Sequence, residues 1–173
     1  METILEKKQV PQNENERLAK LYGYNIGDSH DKMGTFQHVV SMAARIFHVP
    51  VAVVSFVEDT KVRIEASLSM EGTNEMSRDI SLCSLAVLQE GVTVFENARE
   101  ELCLLSNPVV YGDFGLQFYA GAPLKTPDGF HIGVIAIADK KPRTFSKDEE
   151  KLLEGLATVV MEELEERLAM GSM

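Results

Sequence analysis

Long hydrophobic runs are missing from this chain: nowhere in its 173 residues does an apolar stretch approach the roughly 20 residues that a membrane-spanning helix needs. The opening METILEKKQVPQNENE has no apolar core of the kind a secretory leader carries, so the expected location is cytoplasmic. Cysteine is scarce. Cys83 and Cys103 are too few for a disulfide framework and match no zinc spacing, and each sits beside leucines, which describes reduced thiols buried as small hydrophobes. His30, His38, His48 and His131 are scattered, and none is spaced from another His, Asp or Glu as a metal site requires. Positive charge is in deficit, with 17 Lys and Arg against 27 Asp and Glu and a formal net charge of −10. A surface of that sign repels phosphate backbones and anionic lipid, and no basic stripe with interleaved aromatics offsets it. Neither nucleic acid nor membrane is therefore an expected partner. Internal repeats and low-complexity segments are absent as well.

What is present suits one globular domain: 45% apolar and 25% charged residues in a length able to bury a continuous core. Residues 1–15 read as a flexible lead-in, 16–168 as the domain and 169–173 as a tail. From Glu16, ERLAKLYGY places Leu18, Leu21 and Tyr22 at helical spacing before Gly23 and Gly27 interrupt it. Met33, Phe36, Val39, Val40, Ala43, Ile46 and Phe47 form the stripe of a second helix, which Pro50 ends by disfavouring helical geometry at Val49. VAVVSFV, from Val51 to Val57, is the β-branched run of a strand covered on both faces. In VRIEASL, Val62, Ile64, Ala66 and Leu68 alternate with polar residues, predicting a neighbouring strand with one wet face, joined by the short EDTK turn. DISLCSLAVLQ has the spacing of a short helix, GVTVFEN reads as a third strand, AREELCLLSNP as a helical turn stopped by Pro108, and YGDFG as loop. QFYAGAPL and HIGVIAIAD flank TPDG, where Pro127 pre-sets φ and Gly129 tolerates a positive value, which predicts a hairpin. Finally, Ser146 and Glu149 make an S-x-x-E capping box, followed by an apolar stripe from Leu152 to Leu168.

This order of elements predicts an α+β fold: an antiparallel sheet of about five to six strands with the terminal helices packed on one face. Residues 70–117 are left to cover the other face, and short helices and loops over a sheet make a natural pocket.

Read in order, ERLAKLYGYNIGD, AARIFHVPVAVVSFVED, SRDISLCSLAVL, NPVVYGDFGLQFYAGAPLKTPDG and GVIAIADKKPRTFSKDEEKLLEGLA resemble the GAF domains that accompany bacterial sensor kinases and cyclases. The resemblance spans roughly residues 16–168, and the FYAGAPL…DG…G…D…PR block is its most specific part. It implies the architecture just described, with a pocket for a small molecule or service as a dimerising relay. Departures narrow it. Bilin-binding relatives commonly attach their chromophore through a cysteine followed directly by histidine, whereas here Ser84 follows Cys83 and Leu104 follows Cys103, so no covalent pigment is expected. The N-K…F-x-x-x-D-E signature of cyclic-nucleotide-binding members is altered to Asp139-Lys140…Phe145 with Glu149-Glu150, and a Lys140–Glu149 pair would only clasp the last strand to the last helix.

The expected function is a non-catalytic, small-molecule-sensing module of signal transduction, since no set of nucleophile, base and orienting group is visible. Ser81, Cys83, Phe95, Tyr111 and Tyr119 are the candidate ligand-binding residues, because they lie on or beside the roof segment and several carry polar tips on apolar bodies. The ligand and any cofactor are left undefined. A homodimer is expected through the far end of EEKLLEGLATVVMEELEERLAM, with a sensor kinase or cyclase in trans as the output. Two alternatives stand beside this reading. One is an interaction module without a ligand. The other is a thiol-based reductase of the free methionine sulfoxide type, a branch of GAF-like proteins whose catalytic cysteine precedes the penultimate strand; it is disfavoured because the matching segment here, YGDFGLQF, has none.

Overall fold

The computed structural model describes residues 13–24, 34–69 and 74–171. Its sheet comprises β1 (Val51–Val57), β2 (Lys61–Leu68), β3 (Glu75–Ser77), β4 (Thr93–Phe95), β5 (Phe118–Lys125) and β6 (His131–Asp139). The strands lie in the order β3-β2-β1-β6-β5-β4, and every pairing is antiparallel. The centre falls to β1 and β6 because they are apolar on both faces, buried along nearly their whole length.

Helices α1 (Glu14–Gly23), α2 (Thr35–Phe47) and α5 (Lys147–Gly171) cover one face, as the sequence leads one to expect. There Phe36 and Phe47 of α2 and Leu153 and Val160 of α5 close on Ala52, Val54, Ala120 and Ile135. The other face carries α3 (Cys83–Ala86), two 3₁₀ turns (Ala98–Glu100 and Leu102–Leu104) and α4 (Pro108–Tyr111). Leu82, Val87, Leu104 and Val110 of this layer pack on Val53, Val134 and Ala136. Met33 and most of the 1–15 lead-in lie outside the described residues. The hairpin forms as predicted, with Thr126 N donating to Phe130 O at 2.8 Å and Gly129 at φ +95°.

Local departures from expectation each have a physical reason. The alternation in VRIEASL does not put its four apolar residues on one face. Ala66 pairs with Val54 but Ile64 with Ser55, so Glu65 is an extra residue, and this bulge turns the strand over. Ala66 and Leu68 pack with the helices while Val62 and Ile64 face the roof. The edge strand β3 is an addition, three residues too short and too exposed for periodicity to register. Pro108 opens α4 instead of stopping a helix, since its missing N–H is not needed at the first helical position, and Asn107 Oδ1 caps that turn by accepting from Val109 N at 2.9 Å. Glu149 does not reach for Lys140. It accepts from Ser146 N at 3.0 Å in the predicted capping box and ion-pairs with Arg143 at 3.3 Å. Leu152, Val159 and Leu168 leave the buried stripe of α5 and stand 54%, 43% and 38% exposed.

Candidate ligand cavity

Alternation along β6 decides where space remains. This strand presents Ile135 and Ile137 to the helical face but Ala136 and Ala138 to the roof, so the first face fills and the second does not. A cavity of about 370 Å³ lies between sheet and roof. Its floor includes Val53 and Ser55 of β1, Tyr119 of β5, and the two alanines of β6, with Ile64 brought in by the β2 bulge. Ile80, Leu82, Cys83, Val109 and Leu116 close it from above.

The polar groups in this apolar wall meet around Cys83. Tyr119 Oη donates to Cys83 Sγ at 3.2 Å, and Cys83 N donates to Ser81 Oγ at 3.2 Å. Ser55 Oγ donates to Val134 O at 3.3 Å. Burial pushes the Cys83 thiol up, and the hydrogen bond from Tyr119 only partly opposes that rise. Burial, reinforced by Cys83, likewise raises the Tyr119 phenol well above its ordinary value, so both groups stay protonated at neutral pH. Gly121 makes the tyrosine's pose possible. A Cβ there would stand 2.6 Å from Tyr119 Oη and 2.9 Å from Val134 Cγ1, so the ring can lie along its own strand only over a glycine.

Ser81, Cys83 and Tyr119 thus line one cavity. Phe95 and Tyr111 do not. Phe95 is the cross-strand partner of Tyr119, with ring centroids 6.2 Å apart, and supports that ring from β4 without reaching the cavity. Tyr111 stands 45% exposed at the end of α4, donating through Oη to Arg99 O at 3.1 Å with the Arg99 guanidinium over its ring.

Sequence reasoning missed the groups that hold the roof down. Asn107 Nδ2 donates to Ile80 O at 3.0 Å, joining the two roof segments. Ser84 Oγ donates to Arg78 O at 2.7 Å. Arg78 Nη1 in turn donates to Glu58 O at 2.8 Å and Glu14 Oε2 at 2.7 Å. The other Glu14 oxygen is held at 2.8 Å by Arg17, a residue 1% exposed whose Nη1 also donates to Val57 O at 2.8 Å. Burial alone would raise the Glu14 carboxyl, but the hydrogen bonds from Arg17 and Arg78 outweigh it and hold the group below its ordinary 4.5. A signal existed: Arg17 shares a helix face with Leu21, four residues on, and Glu14 precedes it by three. Among the described residues, no group of three or more His, Cys, Asp or Glu gathers as a metal site, and no helix is long and apolar enough to cross a membrane.

An antiparallel six-stranded sheet with three helices on one face and a roofed cavity on the other is an α+β architecture. The GAF domain family matches residues 33–164, and the chain belongs to that family. It is 29% identical over 155 residues to a cyclic di-GMP phosphodiesterase of Pseudomonas aeruginosa, a match covering 87% of this chain but only 26% of that protein. The GAF domain of a phosphoenolpyruvate-protein phosphotransferase from Coxiella burnetii superposes with a TM-score of 0.68 at 15% identity, covering 92% of this chain and 96% of the other. A type II free methionine-R-sulfoxide reductase from Thermoplasma acidophilum gives 0.61 at 22% identity, covering 75% and 89%. At these identities the two structures speak for the fold alone.

Proposed function

We propose that this GAF domain is a non-catalytic receptor for a small molecule and reports occupancy through its helical layer to a signalling enzyme. The carrying observation is the cavity of about 370 Å³, of ligand-binding size and kept open by alanines where the same strand's other face carries isoleucines. The hydrogen bonds of α1 support the reporting step. Glu14 ties this helix to Arg78 at the base of the roof, and the Tyr24 hydroxyl bonds to Glu165 of α5. A ligand that favours one placement of the roof therefore acts on a helix bonded to α5, and differential affinity shifts the population accordingly. The phosphodiesterase relative supports a cyclic-dinucleotide enzyme as the kind of output. A thiol reductase fits less well, because Cys83 is the one cysteine in the described lining and its raised pKa leaves little thiolate.

The test is a thermal-shift and native mass-spectrometry screen of nucleotides, amino acids, haem and neutral aromatics. At least one class should raise Tm by several degrees and bind one to one, and Ala136→Leu, which fills the floor, should abolish the effect. Flat results across all classes would sink the receptor reading. A ligand-free dimerisation module is the second reading, favoured by the outward Leu152 and Val159, two turns apart on α5. Light scattering should then give twice the 19.2 kDa chain mass, reduced to the monomer by Val159→Glu. A strictly monomeric mass for the unaltered chain would remove both that reading and the dimer from the signalling scheme.

A further inference from the structure

Among its described residues the cavity wall carries no charged side chain. Among the described residues around it, the polar side chains are Ser55, Ser69, Ser81, Cys83 and Tyr119, with no Lys, Arg, His, Asp or Glu. Lys140 Nζ comes within 5.5 Å of the centroid of the lining Phe114 but is not itself part of the wall. An anion placed here would lose its water with no countercharge to replace it. The hydroxyl protons around Cys83 are also committed: Tyr119 Oη donates to Sγ at 3.2 Å and Ser55 Oγ to Val134 O at 3.3 Å. Ser81 Oγ accepts from Cys83 N at 3.2 Å. Tyr119 Oη, its proton directed to Sγ, still offers a lone pair to a donor on a ligand. A space of about 370 Å³ lies at the small end of ligand pockets.

Resting on the receptor reading above, we infer that the cavity takes a small, uncharged, largely apolar molecule that presents one hydrogen-bond donor to Tyr119 Oη in the cavity wall. A bicyclic phenol has this chemistry. Carboxylates and phosphate esters, cyclic nucleotides among them, are turned away.

Isothermal titration of the full chain at neutral pH with naphthalene, 2-naphthol and 2-naphthoate separates the terms. The three share a ring system and differ in having no polar group, a donor or a charge. 2-Naphthol should bind one to one, and 2-naphthoate at least about 100-fold more weakly. Tyr119→Phe keeps the ring and removes the acceptor. It should weaken 2-naphthol about tenfold while leaving naphthalene within about twofold. A naphthoate affinity equal to that of naphthol, or a Tyr119→Phe loss equal for naphthol and naphthalene, overturns the ligand class and leaves the receptor reading standing. No binding of any of the three probes, or binding indifferent to Ala136→Leu, also overturns the ligand class; the receptor reading falls with it only if the wider screen is flat as well.

Discussion

Replacing Glu14 by glutamine removes the one negative charge between two guanidinium groups and changes little else in size. In the folded chain Glu14 accepts from Arg17 at 2.8 Å and from Arg78 at 2.7 Å, and Arg17 is 1% exposed. Breaking one member of a buried ion pair costs about 3–5 kcal/mol, because the remaining charge is left uncompensated in a low dielectric. Here the low end applies. Arg17 keeps Val57 O and His131 O as acceptors, and Arg78 keeps Glu58 O, so neither guanidinium is stranded. A loss of about 3 kcal/mol in a chain of this length corresponds to a Tm lower by about 6–12 °C. The pH dependence follows from direction. The Glu14 carboxyl is depressed in the folded state, so its contribution is complete above its ordinary 4.5 and disappears as pH falls through the folded value. Thermal melts of both proteins by circular dichroism should therefore show a constant gap from about pH 8 to about pH 5 and a gap that narrows as pH falls below 4.5. A gap under about 2 °C at neutral pH, or one unchanged by acid, would refute the assignment of Glu14 as the keystone of this network.

The remaining predictions concern the cavity wall and α5. Gly121→Ala puts a methyl 2.6 Å from Tyr119 Oη, so the ring must swing off Cys83; we expect about 1–3 kcal/mol of lost stability in denaturant titration and weaker 2-naphthol binding in the same preparation. With Ellman's reagent under native conditions, the half-buried Cys103 should react and the buried Cys83 should not until the chain is unfolded. Both thiols are raised, first by burial, so the native reaction should accelerate as pH climbs from 7 to about 9, and two equivalents of fast thiol at pH 7 would contradict the packing of Cys83. Ser146→Ala deletes the hydroxyl that accepts from Glu149 N at 3.2 Å and should cost about 1 kcal/mol, read as a Tm drop of about 2–4 °C.

The features legible in the sequence are those in which one local rule acts alone. The capping box at Ser146, the TPDG hairpin, the nearly all-apolar β1 and the stripe of α2 each follow from spacing or backbone preference, and each appears where it was expected, save Ile46 of α2, which stands 45% exposed. The features missed depend on partners distant in the chain. Nothing within VRIEASL announces that Glu65 will be extra to the ladder, because the bulge is a property of the pairing with Val54 and Ser55. Nothing near Asn107 points to Ile80, and Glu14 and Arg78 lie 64 residues apart. Tyr111 shows the same limit from the other side: an aromatic with a polar tip beside the roof is an equally good pocket residue on paper, and only the position of Arg99 explains why it turns outward.

The cavity itself was half-visible, in a form that hydropathy does not capture. HIGVIAIAD is apolar on both faces and by that measure both should pack alike. Its volumes alternate as well as its positions: Ile135 and Ile137 fall on one face, Ala136 and Ala138 on the other. Isoleucine is bulkier than alanine by three carbons, and a layer of short helices cannot follow a recessed floor as closely as one long helix follows a filled one. The Ala side therefore stays open in the middle while its margins close through Leu104 and Val110. Apolarity specifies that β6 is central. The volume pattern specifies which of its faces keeps a cavity.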